Sequence, residues 1–352
     1  MNNRQSVVFL YSEVGPYNIP VFREIVRKFG ISVHVVRWDD NCLTPYNPQN
    51  EDWITYYRRS QFDKRSLDEL INTIDPSLIY VSGWMDKLYL DCSLTFKRSG
   101  TPTVAGFDDM WVGSWRQIFG QVYFRVFLKK YFDYAWVAGD AQYEFVRRMG
   151  FSRANIIFDL LSADLDTFSH ARYDPCSCSL LYVGNFRHVK GIDTLIVAFK
   201  YYREELKGKL SLTCVGGGEL RDELEAIDGI HVVEYQAQSE LIRYVEKSVG
   251  FVLPSEHDQW GVVVHEFSGA GMPLILSSGV GASSKFLIHG YNGFSFPRGD
   301  AMALANAFML IENEDSTARS LMSSRSRMLA QRVSPETSAA NLISLINRGQ
   351  SK

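Results

Sequence analysis

Up to about position 300, two patterns alternate along the chain. Short runs of β-branched and aromatic residues give way to stretches in which apolar positions recur every three or four residues. The first pattern fits buried strands and the second amphipathic helices. Their alternation is the signature of parallel α/β sheets. Strands are expected at 6–11, 32–37, 78–82, 102–106 and 134–138. Helices are expected at 19–29, 66–74, 88–98, about 115–132 and 141–149. In the first helix Phe22, Ile25, Val26 and Phe29 point inward, and Gly30 stops it. These elements make one doubly wound domain over residues 1–172. A linker with Pro175 at 173–179 leads to a second run. Its strands are expected at 179–183, 210–215, 231–234, 250–253 and 273–277, with helices at 192–202, up to 226, at 239–248 and from about 261. That run defines a second domain over 173–334, and 335–352 forms a last helix expected to cross back to the first domain.

Length and composition agree. A chain of 352 residues is too long for one ordinary core. An apolar share of 46% with 22% charged residues is that of a soluble globular enzyme. The net charge of −3 is spread over both halves, which gives no basis for nucleic-acid binding. No apolar run approaches the roughly 20 residues a membrane-spanning helix requires. The opening MNNRQSVVFLYSEVG reads as a strand after a polar start rather than as a signal peptide. Cys42, Cys92, Cys176, Cys178 and Cys214 are scattered and odd in number, so a reducing, cytoplasmic setting is expected. Cys176-Ser177-Cys178 lacks the second ligand pair of a zinc site and reads as part of the linker.

The most informative stretch is LPSEHDQWGVVVHEFSGAGMP, residues 253–273. A strand end runs into a polar turn and then a helix starting near Gly261, with Asp258 just before it and Glu266 in its second turn. A helix N-terminus offers free N–H groups and a partial positive charge, which suit an anion. Carboxylates flanking such a site suit hydroxyl groups instead. Phosphate between hydroxyl-bearing ends describes a nucleotide sugar. The competing reading makes Asp258 a helix cap and Glu266 a solvated helix residue.

Other loops fit the same chemistry. GNFRHVKG (184–191) puts basic residues between a strand end and a helix start, where fixed cations stabilise a leaving diphosphate. Gly216, Gly217 and Gly218 follow another strand and permit close backbone approach to a phosphate or sugar. In the first domain the loops 13–17, 38–46, 83–87 and 107–115 follow strands and are rich in Trp, Tyr and Asp, residues that stack on and hydrogen-bond sugars. Asp108 and Asp109 stand out there, although an acidic surface loop is an equally good description.

These segments resemble the family-four retaining glycosyltransferases. The carrying features are two acids separated by seven residues, Asp258 and Glu266, then small residues and Gly271-Met272-Pro273. Asp258 stands where the family usually has Glu. The resemblance implies Glu266 on the ribose diol, Asp258 on the hexose, and backbone around Gln259, Trp260, Gly261 and Val262 on the diphosphate. It matches Lys190-Gly191 at the end of the basic loop. Gly184 begins that loop, Asn185 holds the usual Arg position, and Arg187 is a shifted replacement. The glycines at 216–218 fall on the family's Gly-x-Gly loop, Tyr235 and Gln236 fall where the base is cradled, and Gly15 is a further donor-binding candidate. FDLLSADLDTF (158–168) and GVGASSKFLIHGYNGFSF (279–296) match the linker and closing segments. The first-domain loop that often carries a His has none here, leaving Asp108 or Asp109 as substitutes. GFDDMWVGSWRQ and DAQYEFVRRMGF resemble the polysaccharide-synthesis branch.

The implied fold is GT-B: two Rossmann-like doubly wound domains facing a central cleft, with donor in the second and acceptor in the first. The implied reaction moves a hexose from a UDP- or GDP-sugar to a hydroxyl of a glycan, lipid-linked and on the route to a bacterial-type surface polysaccharide. No cofactor or metal is needed if Lys190, Arg187 and the Gly261 helix terminus neutralise the diphosphate. The alternative that Asp164-Leu165-Asp166 binds a metal is weakened by its place after a complete first domain. A nucleotide-sugar epimerase of the same architecture, or an inactive nucleotide-sugar-binding subunit, are the other readings. Two basic-aromatic stretches, VFREIVRKFG (21–30) and YFRVFLKKYF (123–132), either rest peripherally on an inner-membrane surface or place their aromatics in the core and their cations in water.

Overall fold

The computed structural model describes residues 5–39, 48 and 50–349. The chain forms two compact units, 1–162 with 335–352, and 163–334.

The first unit is built on β1 (Ser6–Tyr11), α1 (Asn18–Phe29), β2 (Ser32–Arg37), β3 (Ile54–Arg58), α2 (Lys64–Ile74), β4 (Leu78–Val81) and α3 (Lys87–Arg98). It continues through β5 (Thr103–Phe107), α4 (Trp115–Tyr123), β6 (Tyr134–Val137), α5 (Asp140–Arg148) and β7 (Ile156–Ile157). The sheet is parallel throughout, in the order β3-β2-β1-β4-β5-β6-β7. β1, β4, β5 and β6 are buried along their whole length, as strands covered on both faces must be. Phe9 packs on Phe22 of α1 at 4.6 Å between ring centres, and Phe107 and Phe124 fill the opposite side with Phe151.

The second unit comprises α6 (Leu165–Ser169), β8 (Ser179–Val183), α7 (Ile192–Glu204), β9 (Ser211–Val215), α8 (Arg221–Glu225), β10 (Ile230–Val233) and α9 (Gln238–Val245). It continues with β11 (Gly250–Leu253), α10 (Val262–Gly269), β12 (Leu274–Ser277), α11 (Ser283–Phe286), β13 (Gly293–Phe296), α12 (Ala301–Asn313) and α13 (Ser316–Ala330). Its parallel sheet runs β10-β9-β8-β11-β12-β13. The last helix, α14 (Pro335–Gly349), packs on α1 in the first unit. Ser338 Oγ donates to Asp159 O and Asn341 to Phe158 O there.

The unit boundary precedes position 172. The reason is local: Phe168 lies edge-on to Phe267 of α10, and Arg327 donates to the carbonyls of Ser169 and Ala171. Expectation and structure also differ at β3, β7 and β13, three short strands absent from the reading of the pattern. In α1, Phe22 and Ile25 are buried, but Phe29 lies in the last turn and is exposed. Of the loop 38–46 and the cysteines, residues 40–47, including Cys42, lie outside the described residues.

Each sheet reverses its winding once, between β1 and β4 in the first unit and between β8 and β11 in the second. Loops leaving such adjacent strands diverge to opposite faces and open a crevice at the carboxyl ends, where open α/β sheets place ligands.

Candidate active site

In the second unit the switch-point loops carry Lys190 and Asp258. Lys190 ends a 3₁₀ turn after β8, and Asp258 lies between β11 and α10. Lys190 Nζ donates to Asp258 Oδ2 at 2.7 Å, and Ser255 Oγ lies 3.4 Å from the same oxygen. Asp258 is 9% exposed, and backbone hydrogen bonds hold it to the strand-like segment at Gly279 and Gly281. The local backbone explains why Lys190 is followed by glycine. Gly191 has φ of 73°, and a Cβ there would lie 2.0 Å from the carbonyl oxygen of Pro254. Only glycine lets the Lys190 loop rest against the end of β11.

Helix α10 starts after Gly261, whose left-handed conformation (φ 84°) turns the chain into the helix. Its first residues, Val262 and Val263, are only half-buried, so its N-terminus is not sealed into the core. Glu266, on the same helix, is 6% exposed. Gln238 Nε2, at the start of α9, donates to Glu266 Oε1 at 2.5 Å. Burial raises the Glu266 carboxyl to about 7 against the pull of the Gln238 donor, and Asp164 adds to the rise. Neither competing reading fits. Glu266 is not solvated, and Asp258 gives its carboxylate to Lys190 rather than to an α10 amide. Asp164 caps α6 by accepting from the Thr167 N–H and hydroxyl.

The glycine loop has a structural reason of its own. A Cβ on Gly216 would lie 2.1 Å from Gly184 O, and one on Gly218 2.5 Å from Phe186 O, because the loops after β8 and β9 run in contact. Only Gly217 has open space where a Cβ would stand. Asn185 and Arg187 are exposed on the same loop pair. Tyr235 is exposed, and Gln236 accepts from Arg243. Gln259 is exposed, whereas the Trp260 ring is buried edge-on to Phe286. Trp260 therefore offers its backbone, and not its ring, to anything bound outside.

Two residues were not legible beforehand. Gln238 has no local signal, since only the fold brings it to Glu266. His265 is fully buried, its Nδ1 accepting from Ala163 N–H and its Nε2 donating to Ala330 O, with the ring stacked on Phe286. Burial lowers it to about 4, so it is neutral and fixes the helix turn that presents Glu266.

The first unit has its own cavity of about 400 Å³, at the β1–β4 switch point. Tyr11, Gly15, Tyr17, Trp38, Asp86 and Asp108 are among its lining residues, while Asp109 is half-buried just beyond. Gly15 and Asp108 thus share this cavity, whereas the other donor candidates lie in the second unit. Burial raises the Asp86 carboxyl, but Arg59 and Trp38 hydrogen bonds overcome this and hold it below the usual carboxylate range. Among the described residues the lining contains Glu13, Asp86 and Asp108 and no Lys, Arg or His.

Residues 178–327 match the family model described as glycosyl transferases group 1. The glycogen synthase of Mycobacterium tuberculosis (strain CDC 1551 / Oshkosh) is 26% identical over 194 residues, 53% of this chain and 45% of that one. The chain thus spans about half the length of this curated relative. Among solved structures, the sucrose-phosphate synthase of Thermosynechococcus elongatus superposes with a TM-score of 0.72 at 19% identity, covering 98% of this chain and 99% of the other. The Anabaena protein HepE in complex with UDP gives 0.74 at 14% identity, covering 98% and 100%. These two likenesses establish the fold along the whole chain. The chain thus has the GT-B architecture of two parallel-sheet domains, and its second unit is similar to the group 1 glycosyl transferases.

Proposed function

We propose that the chain is a retaining glycosyltransferase that moves a hexose from a UDP- or GDP-sugar to a hydroxyl of a glycan acceptor, lipid-linked and serving surface polysaccharide synthesis. The observation that carries this reading is the pairing of Lys190 with Asp258 at the second unit's switch point, in the loop that leads into the helix holding buried Glu266. HepE is a structural neighbour in complex with UDP, which favours a uridine donor over a guanosine one.

Under this reading the ribose diol hydrogen-bonds Glu266, and the diphosphate lies at the α10 N-terminus near Lys190 and Arg187. Donor entry takes Lys190 from Asp258, which frees the carboxylate for the hexose hydroxyls. The anomeric carbon–oxygen bond to the β-phosphate breaks as the acceptor oxygen bonds the same face. The acceptor proton passes to the departing phosphate oxygen. Lys190 and Arg187 stabilise the charge that accumulates there. The first-unit cavity takes the acceptor sugar. Its carboxylates and aromatic rings suit a neutral or amino sugar rather than an anionic one, with Asp108 orienting the hydroxyls.

The test is a panel of UDP- and GDP-hexoses, scored by thermal shift and by donor breakdown with and without a membrane extract. A stabilising donor consumed only with extract supports transfer. Acceptor-free conversion supports an epimerase, and stabilisation without turnover an inactive subunit.

A further inference from the structure

The two basic-aromatic stretches have different fates. In α1 Phe29 alone of the aromatics is left exposed, and the other groups are accounted for: Phe22 is core, Lys28 pairs with Glu336, Arg27 lies beside Glu24, and Arg23 stacks on Trp53. The second stretch behaves otherwise. Helix α4 has no buried residue, and it continues through a π-helical turn at Phe124–Leu128 that buries only Phe124 and Leu128. Trp115, Phe119, Val122, Tyr123, Val126 and Phe127 are all exposed, the first two at 76% and 71%. Their spacing of three and four residues aligns them in one stripe on the side away from Phe124, whose ring packs against Trp84, Phe107 and Phe151. A contiguous apolar face of this size is unusual on a soluble protein and marks something that covers it.

Charge indicates what covers it. No Asp or Glu occurs between positions 110 and 132, while Arg116, Arg125, Lys129 and Lys130 do, on a chain whose net charge is −3. Lys129 is turned inward over the Phe151 ring, which leaves Arg116, Arg125 and Lys130 exposed around the stripe. A symmetric contact with a second copy would bring these cations together without an acid to meet them. An anionic bilayer supplies both requirements, acyl chains for the rings and negative headgroups for the cations.

We propose that α4 and the turn after it form a lipid-docking surface, lying in the headgroup region of an anionic membrane with the Trp115–Phe127 stripe inserted. Trp and Tyr favour that depth because each joins an apolar ring to a polar edge. The proposal rests on the exposed stripe and stands apart from the transferase reading.

The test is flotation with phosphatidylglycerol–phosphatidylcholine vesicles and with phosphatidylcholine vesicles alone. The expected result is binding to the anionic vesicles that weakens with salt. Binding should fall about tenfold or more in the Trp115→Ser/Phe119→Ser/Phe127→Ser variant, and about fivefold for each of Arg116→Gln and Lys130→Gln. Met328→Ser, an exposed apolar residue of the second unit, leaves binding unchanged. Unfolding temperature checks that each variant is intact, and Trp115→Ser alone serves if the triple variant is not. Donor-induced thermal shifts without vesicles are unaffected by these changes, so failure of docking is separable from failure of the donor site. Absence of wild-type binding, undiminished binding by the folded apolar variants, or a solution dimer that those variants dissociate would each overturn the proposal.

Discussion

Lys190 Nζ and Asp258 Oδ2 lie 2.7 Å apart, joining the two loops that leave the switch point of the second unit. Both groups are largely withdrawn from water, so each depends on the other to offset its desolvation. Lys190→Ala strands a carboxylate and should cost about 2 kcal/mol of stability. The Lys190→Ala/Asp258→Ala double variant should recover part of that loss. Urea denaturation of the four proteins in the cycle measures the coupling, and strict additivity would mean the pair is incidental. Under the proposed chemistry Lys190→Ala should also lower kcat by about 100-fold.

Glu266 gives a pH signature. Its carboxyl is raised to about 7 by burial, so the folded state holds a proton that the unfolded chain releases near its ordinary value of 4.5. Stability from this group is therefore full below about 4.5 and is lost as pH rises toward 7. Glu266→Gln keeps an acceptor for Gln238 and cannot ionise. Its unfolding free energy should decline less than the wild type's across that window, in denaturant titrations at matched pH. Identical pH slopes would contradict the assignment. Donor affinity should move the opposite way, since the ribose diol favours an ionised acceptor and binding strengthens as pH rises through 7.

Gly191→Ala should fail for steric reasons. A Cβ placed 2.0 Å from Pro254 O forces the Lys190 loop away from β11. We expect a stability loss of about 2 kcal/mol or more and a severe drop in turnover. Gly217→Ala, where no atom lies within 4 Å of the added methyl, should be nearly silent in stability. A well-tolerated Gly191→Ala would show that the loop is not held as described.

The acceptor side is tested by Asp108→Asn. If the first-unit cavity takes the acceptor, KM for acceptor rises about tenfold while the dissociation constant for donor is unchanged. A change in donor affinity alone would misplace Asp108.

EDTA should leave turnover largely unchanged if Lys190, Arg187 and the α10 N-terminus carry the diphosphate charge. A strict divalent-cation requirement would contradict that arrangement.

The architecture was legible because buried parallel strands such as LIYV at 78–81 and GFVL at 250–253 are continuous apolar runs between helical periods. β3 was not, because ITYYR is half-exposed at a sheet edge and follows a long polar segment. Asp258, Glu266 and Lys190 could be named because each sits at a strand end or helix start, positions that local pattern marks. That Lys190 pairs with Asp258, or that Gln238 reaches Glu266, was invisible, since those partners are 68 and 28 residues apart and only sheet order joins them. The same limit applied to aromatics. YFRVFLKKYF reads alike whichever face is buried, and only the packed helix shows Phe124 inside and Phe127 outside.

The most direct test of the central claim is transfer of labelled hexose from UDP- or GDP-sugar to a membrane-extract acceptor by the wild type and by Glu266→Ala. The account predicts labelled glycan from one nucleotide sugar with the wild type, and at least a 100-fold lower rate with a folded Glu266→Ala protein. Transfer by Glu266→Ala at the wild-type rate, or no labelled product from any donor, would contradict it.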